Sequence, residues 1–272
     1  MANNAAIGVF DSGLGGLSVL REMERLLPDE SFVYFADNAH IPYGPRPLDQ
    51  VRRFSHAIAG NLIAHPCKLV TVACNTASAA SLASLRESFP DIPFVGMEPA
   101  VKPAAAETRS GRIGVLATHA TFQGKLFESV VERFAHGTEV VCHACPGLAE
   151  FIETHSPDDP ALQPILREII APLLERGVDT LVLACTHYPL IKEAIAAAAG
   201  PAVRVVDPSP AIARRVEQVL RERDALTGVR GGGGKTRFFA SGDADAFSRR
   251  ASDMVNRPVE AVPAEFSTRV PG

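Results

Sequence analysis

Two cysteines, Cys74 and Cys185, occupy matching settings along the chain. Each closes a short apolar run that reads as a strand, 69–73 and 180–184, and each opens a helical pattern. Polar residues follow at once: Asn75-Thr76, either of which could cap the first helix, and Thr186-His187 at the corresponding place in the second. Ligands of open α/β sheets bind at the carboxyl ends of strands. A helix N-terminus adds free backbone N–H groups and the positive end of a dipole, which attract a carboxylate and favour thiolate over thiol. One thiol in such a place suggests a nucleophile. Two in equivalent places suggest a reaction with two-sided symmetry. A single cysteine is more often a small core residue, and Cys67, Cys142 and Cys145 are read that way. Cys142 and Cys145 have the spacing of half a zinc site. No second pair or spaced histidines completes it, so no metal is expected.

Other residues could serve a ligand near these thiols. Asp11-Ser12-Gly13-Leu14-Gly15-Gly16 follows the first predicted strand. A dinucleotide fingerprint would need a third glycine, or an alanine, where Ser18 stands, and Asp11 would repel a pyrophosphate. The glycines still allow close backbone approach. Asp11 and Ser12 are therefore read as contacts to a small polar ligand carrying an amine; the plainer alternative is a capped Gly-rich turn. Pro42-Tyr43-Gly44 is a turn by composition, from which Tyr43 could close over a ligand. His187 is a candidate proton partner for Cys185, or else a core or surface histidine. Glu153, taken alone, reads as a solvated residue at a helix end.

The elements that must position these residues alternate. Strands are expected at 6–10, 31–36, 69–73, 93–96, 112–117, 139–143, 180–184, 202–206 and 236–240. Helices are expected at 16–27, 48–65, 76–88, 121–134, 160–176, 189–199 and 209–224. Several strands are apolar on both faces, as in a buried parallel sheet, so the fold class is α/β with mainly parallel sheets. Ile7-Gly8-Val9-Phe10-Asp11-Ser12 resembles Ile113-Gly114-Val115-Leu116-Ala117-Thr118, and Leu69 to Thr76 resembles Leu181 to His187. Two matched pairs in the same order, at nearly equal offsets, point to two α/β halves of related build. The Gly-rich stretch 228–234 is read as a flexible surface loop. It is not a phosphate loop, because Val229 stands where a glycine is required and a strand follows instead of a helix.

The 272 residues carry a formal net charge of −4, which gives no electrostatic case for nucleic-acid binding. No apolar run reaches the roughly 20 residues of a membrane span, and no basic segment leads into an apolar one at the start of the chain. A cytoplasmic protein is expected. Five cysteines, an odd number, do not form a disulfide framework. Oligomeric state is not legible, and a homodimer stays open.

Taken together, Asp11-Ser12-Gly13 with Gly15-Gly16, Pro42-Tyr43-Gly44, Ala73-Cys74-Asn75-Thr76 and Cys185-Thr186-His187-Tyr188-Pro189-Leu190 resemble the glutamate racemases of the aspartate/glutamate racemase superfamily. The resemblance runs from about residue 6 to residue 210. It implies two pseudo-symmetric α/β domains with the active site in the cleft between them. The first would comprise 1–97 plus 208–272 and the second 98–207. It implies cofactor-independent racemisation of glutamate, supplying D-glutamate for peptidoglycan. Position by position, Cys74 and Cys185 match the two catalytic bases. Asp11, Ser12, Tyr43, Gly44, Asn75, Thr76, Thr186 and His187 match substrate contacts, as do Thr118 and Thr121. Glu153 matches an acid that assists Cys185 through His187. An aspartate or hydantoin racemase on the same fold, a non-catalytic amino-acid-binding protein and a cysteine hydrolase remain alternatives.

On that resemblance, Cys74 takes the proton from the D-enantiomer and Cys185 from the L-enantiomer. Each sulfur is then expected about 3–3.5 Å from Cα for attack, and the two sulfurs roughly 6–7 Å apart, too far for a disulfide. No pyridoxal lysine site is evident, so no cofactor is expected and the protein must stabilise the carbanion itself. Ser12, Asn75, Thr76 and Thr186 could bind the carboxylate where charge builds. In D2O, each enantiomer should gain deuterium at Cα as it converts, measured by mass spectrometry. Conversion without label would contradict a two-base exchange with solvent.

Overall fold

The computed structural model describes residues 4–229, 231 and 233–264. Its first stretch runs β1 (Ala6–Asp11), α1 (Leu17–Leu26), β2 (Phe32–Ala36), α2 (Leu48–Ala64), β3 (Cys67–Val72), α3 (Asn75–Ser88) and β4 (Phe94–Gly96). Then come α4 (Val101–Glu107), β5 (Arg112–Ala117), α5 (His119–Gln123), α6 (Lys125–Phe134), β6 (Glu139–Ala144), α7 (Leu148–Thr154), α8 (Leu162–Glu175) and β7 (Thr180–Ala184). A 3₁₀ turn (Tyr188–Ile191) leads into α9 (Lys192–Ala199), followed by β8 (Arg204–Val206), α10 (Ser209–Glu222), β9 (Thr236–Ala240), α11 (Ala244–Val255) and β10 (Ala261–Pro263).

The strands form two sheets, one of six in the order β10-β9-β2-β1-β3-β4 and one of four in the order β6-β5-β7-β8. Every pairing is parallel. The order β2-β1-β3-β4 repeats as β6-β5-β7-β8. Strands β1 and β5, and β3 and β7, carry the two repeated sequence motifs, so the repeat is visible as topology. The parallel strands are covered on both faces by helices, as their continuous apolar runs require. Alternate side chains go to opposite cores. Val9 and Tyr34 face α1, α10 and α11, while Phe10 and Phe35 face α2 and α3. In the second sheet, Leu181 and Leu183 face α7, α8 and α9, while Val182 faces α4 and α6.

The chain returns to the first sheet after β8. Ile212, Val216, Val219 and Leu220 of α10 pack into the same core as β1. Strand β9 then pairs with β2, and β10 with β9. Phe247 of α11 is buried and stacks on Tyr34, ring centroids 6.2 Å apart.

The structure departs from the sequence pattern in several places. The expected helix 121–134 is broken into α5 and α6 at Gly124. A Cβ at Gly124 would lie 2.6 Å from the Cβ of Ala79 on α3, so the chain must turn where the two halves meet. The expected helix 189–199 opens as a 3₁₀ turn containing Pro189. Helices α4, α7 and α11 and strand β10 were not expected. Helices of seven residues, such as α4 and α7, are too short to show a helical period. Cys142 is exposed instead of in the core, because it lies on the edge strand β6. In the Gly-rich run, Arg230 and Gly232 lie outside the described residues, but Gly234 is docked. Its N–H donates to the Pro28 carbonyl at 2.7 Å, and a Cβ there would come within 1.6 Å of the Glu30 carbonyl oxygen. No helix among the described residues is long and apolar enough to cross a membrane.

Phe247→Ala should destabilise the protein by about 3–5 kcal/mol through the cavity it leaves. Urea unfolding measures this, and a change near zero would mean that α11 is not part of the first core.

Candidate active site

Cys74 follows β3 and is itself the N-cap of α3, where Asn75 or Thr76 was expected to cap. Its backbone is extended, its carbonyl accepts from the Ser78 N–H at 2.9 Å, and the Ala77 N–H lies against its sulfur. Burial pushes the Cys74 thiol well above its usual pKa, Asp11 and Cys185 add to the rise, and only the Ala77 N–H opposes it. Cys74 is therefore a protonated thiol in this state. Beside it, both polar atoms of the Asn75 side chain are buried without a hydrogen-bond partner. An amide left so is costly unless a ligand completes its bonding.

Cys185 follows β7 directly, and its sulfur lies 3.7 Å from Nδ1 of His187. Nε2 of His187 meets Oε1 of Glu153 at 2.5 Å. That same carboxylate oxygen accepts from the Leu14 N–H at 2.7 Å. Glu153 is thus not a solvated helix end. Helix α7 turns it inward, and the loop after β1, which belongs to the other sheet, lies over it. Burial works against charge on His187, but the contacts with Cys185 and Glu153 outweigh it and hold its pKa well above 6.5. His187 is an imidazolium at neutral pH.

The loop after β1 can lie this close only because it is made of glycine. A Cβ at Gly13 would sit 2.2 Å from Oε1 of Glu153, and one at Gly15 would sit 2.6 Å from both Nδ1 of His187 and Oγ1 of Thr186. The glycines therefore admit the second half of the protein.

Both thiols, from the two different sheets, line one cleft of about 100 Å³. Ser12, Tyr43, Gly44, Asn75 and Thr76 line it from the side of the first sheet. Thr118, Thr186 and His187 line it from the other. A chain of hydroxyls joins the walls: Thr76 to Thr118 at 3.0 Å and Thr118 to Thr121 at 2.9 Å. Thr121 stands behind Thr118, capped onto it, and is not on the cleft surface. Asp11 and Glu153 also stand behind the wall. Asp11 accepts from the N–H groups of Gly13 (3.1 Å) and Gly16 (3.0 Å), so the plainer alternative of a capped turn also describes it. It faces Oγ1 of Thr186 at 3.4 Å and touches Cys74. Burial is the main cause of its raised pKa, with His187 pulling the other way. Tyr43 forms part of the cleft wall. Its hydroxyl donates to Asp37 at 2.6 Å, and its ring lies on Phe54.

Several residues of the site were missed in the sequence. Asp37 is fully buried and also accepts from Ser241 at 2.7 Å and contacts His40 at 2.9 Å, anchoring the loop that carries Tyr43. Cys145, expected to be inert core, lies on the cleft wall with Pro146 and Gly147. It is nevertheless buried, which pushes its thiol up to about 12. The Pro-Gly turn directly after β6 was the available signal, since it marks another strand's carboxyl end. Glu150 and His119, also on the cleft, had no such signal. Among the described residues, no group of three or more His, Cys, Asp or Glu is arranged to hold a metal ion.

Comparison with known proteins identifies the family and the fold. The Asp/Glu/Hydantoin racemase family pattern matches residues 7–216. The chain belongs to the Asp/Glu/Hydantoin racemase family. Within it, the similarity runs to proteins named glutamate racemase. One from Roseiflexus sp. (strain RS-1) is 51% identical over 242 residues, 89% of each chain. The crystal structure of glutamate racemase isoform RacE1 from Bacillus anthracis superposes with a TM-score of 0.89 at 34% identity, covering 97% of this chain and 98% of that one. The Francisella tularensis glutamate racemase, solved in complex with D-glutamate, gives a TM-score of 0.84 at 27% identity over 96% of this chain and 98% of its own.

The raised pKa of His187 implies a definite sign. The stabilisation from its charge is fully present below its ordinary value and is lost as pH rises through the raised one. Glu153→Gln removes one of the groups that hold it up. The His187 titration, followed by NMR, should move to lower pH, and the alkaline fall of activity should begin earlier. An unchanged titration would show that Glu153 does not hold the imidazolium.

Proposed function

We propose that this protein interconverts L- and D-glutamate by moving a proton at Cα between Cys74 and Cys185, with no cofactor. The observation that carries the proposal is the pair of thiols lining one cleft from two topologically equivalent strand ends. In the form that starts from L-glutamate, Cys185 as thiolate takes the Cα proton and its electron pair stays on carbon. The Cys74 thiol then gives its proton to the opposite face. The enzyme ends with the two sulfurs in exchanged states, ready for the D-enantiomer. His187 supplies positive charge beside Cys185, and Glu153 orders it.

The backbone at the start of α3, the unpartnered amide of Asn75 and the hydroxyls of Ser12, Thr76, Thr118 and Thr186 bind the substrate's carboxylates as charge develops at Cα. Tyr43 and Gly44 complete the wall. Asp11 and Thr121 act from behind it, Asp11 on Cys74 and Thr121 on Thr118. The working units are a first domain of 1–97 plus 208–272 and a second of 98–207. Motion between them opens the cleft. The product serves peptidoglycan synthesis in the cytoplasm. Family membership also admits aspartate or hydantoin substrates.

Circular dichroism of the purified protein, with L- and then D-glutamate and no added cofactor, should show both converge to zero ellipticity. Aspartate should convert far more slowly. Cys74→Ala and Cys185→Ala should each abolish racemisation, a loss of at least about 10³-fold, while the far-ultraviolet spectrum stays unchanged. Full activity in either variant would refute the assignment of that thiol.

A further inference from the structure

The carboxylate of Glu153 matters only if α7 holds it in place, and α7 is a single short helix of seven residues. The last carbonyls of a helix have no partner within it. Here they are taken by one side chain from the far end of the chain. Arg250 on α11 donates through Nε to the carbonyl of Glu153 at 3.1 Å. It donates through its terminal nitrogen to the carbonyls of Ile152 at 3.2 Å and His155 at 2.6 Å. The planar guanidinium suits this fork of acceptors, and its charge complements the negative end of the helix. Met254 follows one turn later on the same face of α11 and packs against both the core of the first sheet and that of the second. Helix α11 is rooted in the first core through Ala244, Phe247 and Ala251. Its Arg250 and Met254 face is therefore a contact between the two halves, made beside the site and outside the cleft.

We propose that Arg250 is a positioning residue. From the returning tail it grips the C-terminal turn of α7, and so fixes the Glu153 carboxylate that orders His187 beside Cys185. It touches neither substrate nor sulfur. This inference rests on the proposed racemase reaction for its kinetic test, but its spectroscopic test does not. Three titratable groups face His187: Cys185 on its own turn, Glu153 on α7 and Asp11 at the end of β1. Only the second is held by Arg250.

The test uses the full-length protein with Arg250→Ala, Arg250→Lys and Arg250→Ala/Glu153→Gln. In Arg250→Ala, kcat from L-glutamate should fall by about 10- to 100-fold, the scale of a small misplacement of a reacting group. KM should change little. The His187 titration should move to lower pH, as in Glu153→Gln. Lysine should restore part of the rate. The double variant should be no slower than Glu153→Gln alone, because both changes break one chain of contacts. Wild-type kcat and an unmoved His187 titration in Arg250→Ala would overturn the proposal, as would losses that multiply in the double variant. Should Arg250→Ala not fold, Met254→Ala loosens the same contact with the guanidinium intact and should shift the titration in the same direction; no shift would again overturn it. Should the wild-type protein fail to racemise glutamate, the proposed function falls. The His187 titration then decides the role of Arg250 on its own.

Discussion

One carboxylate oxygen ties the two halves of this protein at the point where its chemistry would occur. Oε1 of Glu153, from the second half, meets His187 at 2.5 Å and the Leu14 N–H of the first half at 2.7 Å. A buried carboxylate needs such partners, since leaving it without them is expensive. Satisfying it forces the loop after β1 against α7 and the turn after β7. That closeness explains the glycines at 13 and 15, the inward turn of α7 and the contact between Thr186 and Asp11. The cleft is what remains between two surfaces held at this distance.

The two thiols are alike in topology and unlike in electrostatics. Cys74 is buried beside the Asp11 carboxylate, which disfavours negative charge on its sulfur. Cys185 lies beside an imidazolium held by a carboxylate. A duplicated scaffold supplies equivalent strand ends, and the two ends have different neighbours: a carboxylate beside Cys74 and a histidine beside Cys185.

The tail gives a second tie. Strand β9 extends the first sheet beside β2, and α11 then reaches across to the C-terminal turn of α7. A segment whose sequence shows no catalytic motif therefore bears on the position of Glu153. The buried network of Asp37, Tyr43 and Ser241 does the same for the opposite wall, again joining the tail to the site.

Local sequence was enough for much of this. The apolar runs of β1, β3, β5 and β7 identify parallel strands covered on both faces, because such strands tolerate no polar side. The repeated strand-to-helix junctions identify Cys74 and Cys185, because ligand sites lie at strand ends. The distant contacts needed the tertiary structure. Glu153 looks solvated until the loop after β1 is laid over it. Gly13 and Gly15 look like a ligand loop until His187 and Glu153 are seen pressing on them. Cys145 looks like core until the cleft opens beside it. Arg250 and Asp37 are ordinary charges in the sequence; Arg250 meets the end of α7 only across about a hundred positions, and Asp37 adds to its neighbours His40 and Tyr43 a bond from Ser241 about two hundred positions away. Hydrophobic periodicity reports which face of an element is buried; it carries no information about which element buries it.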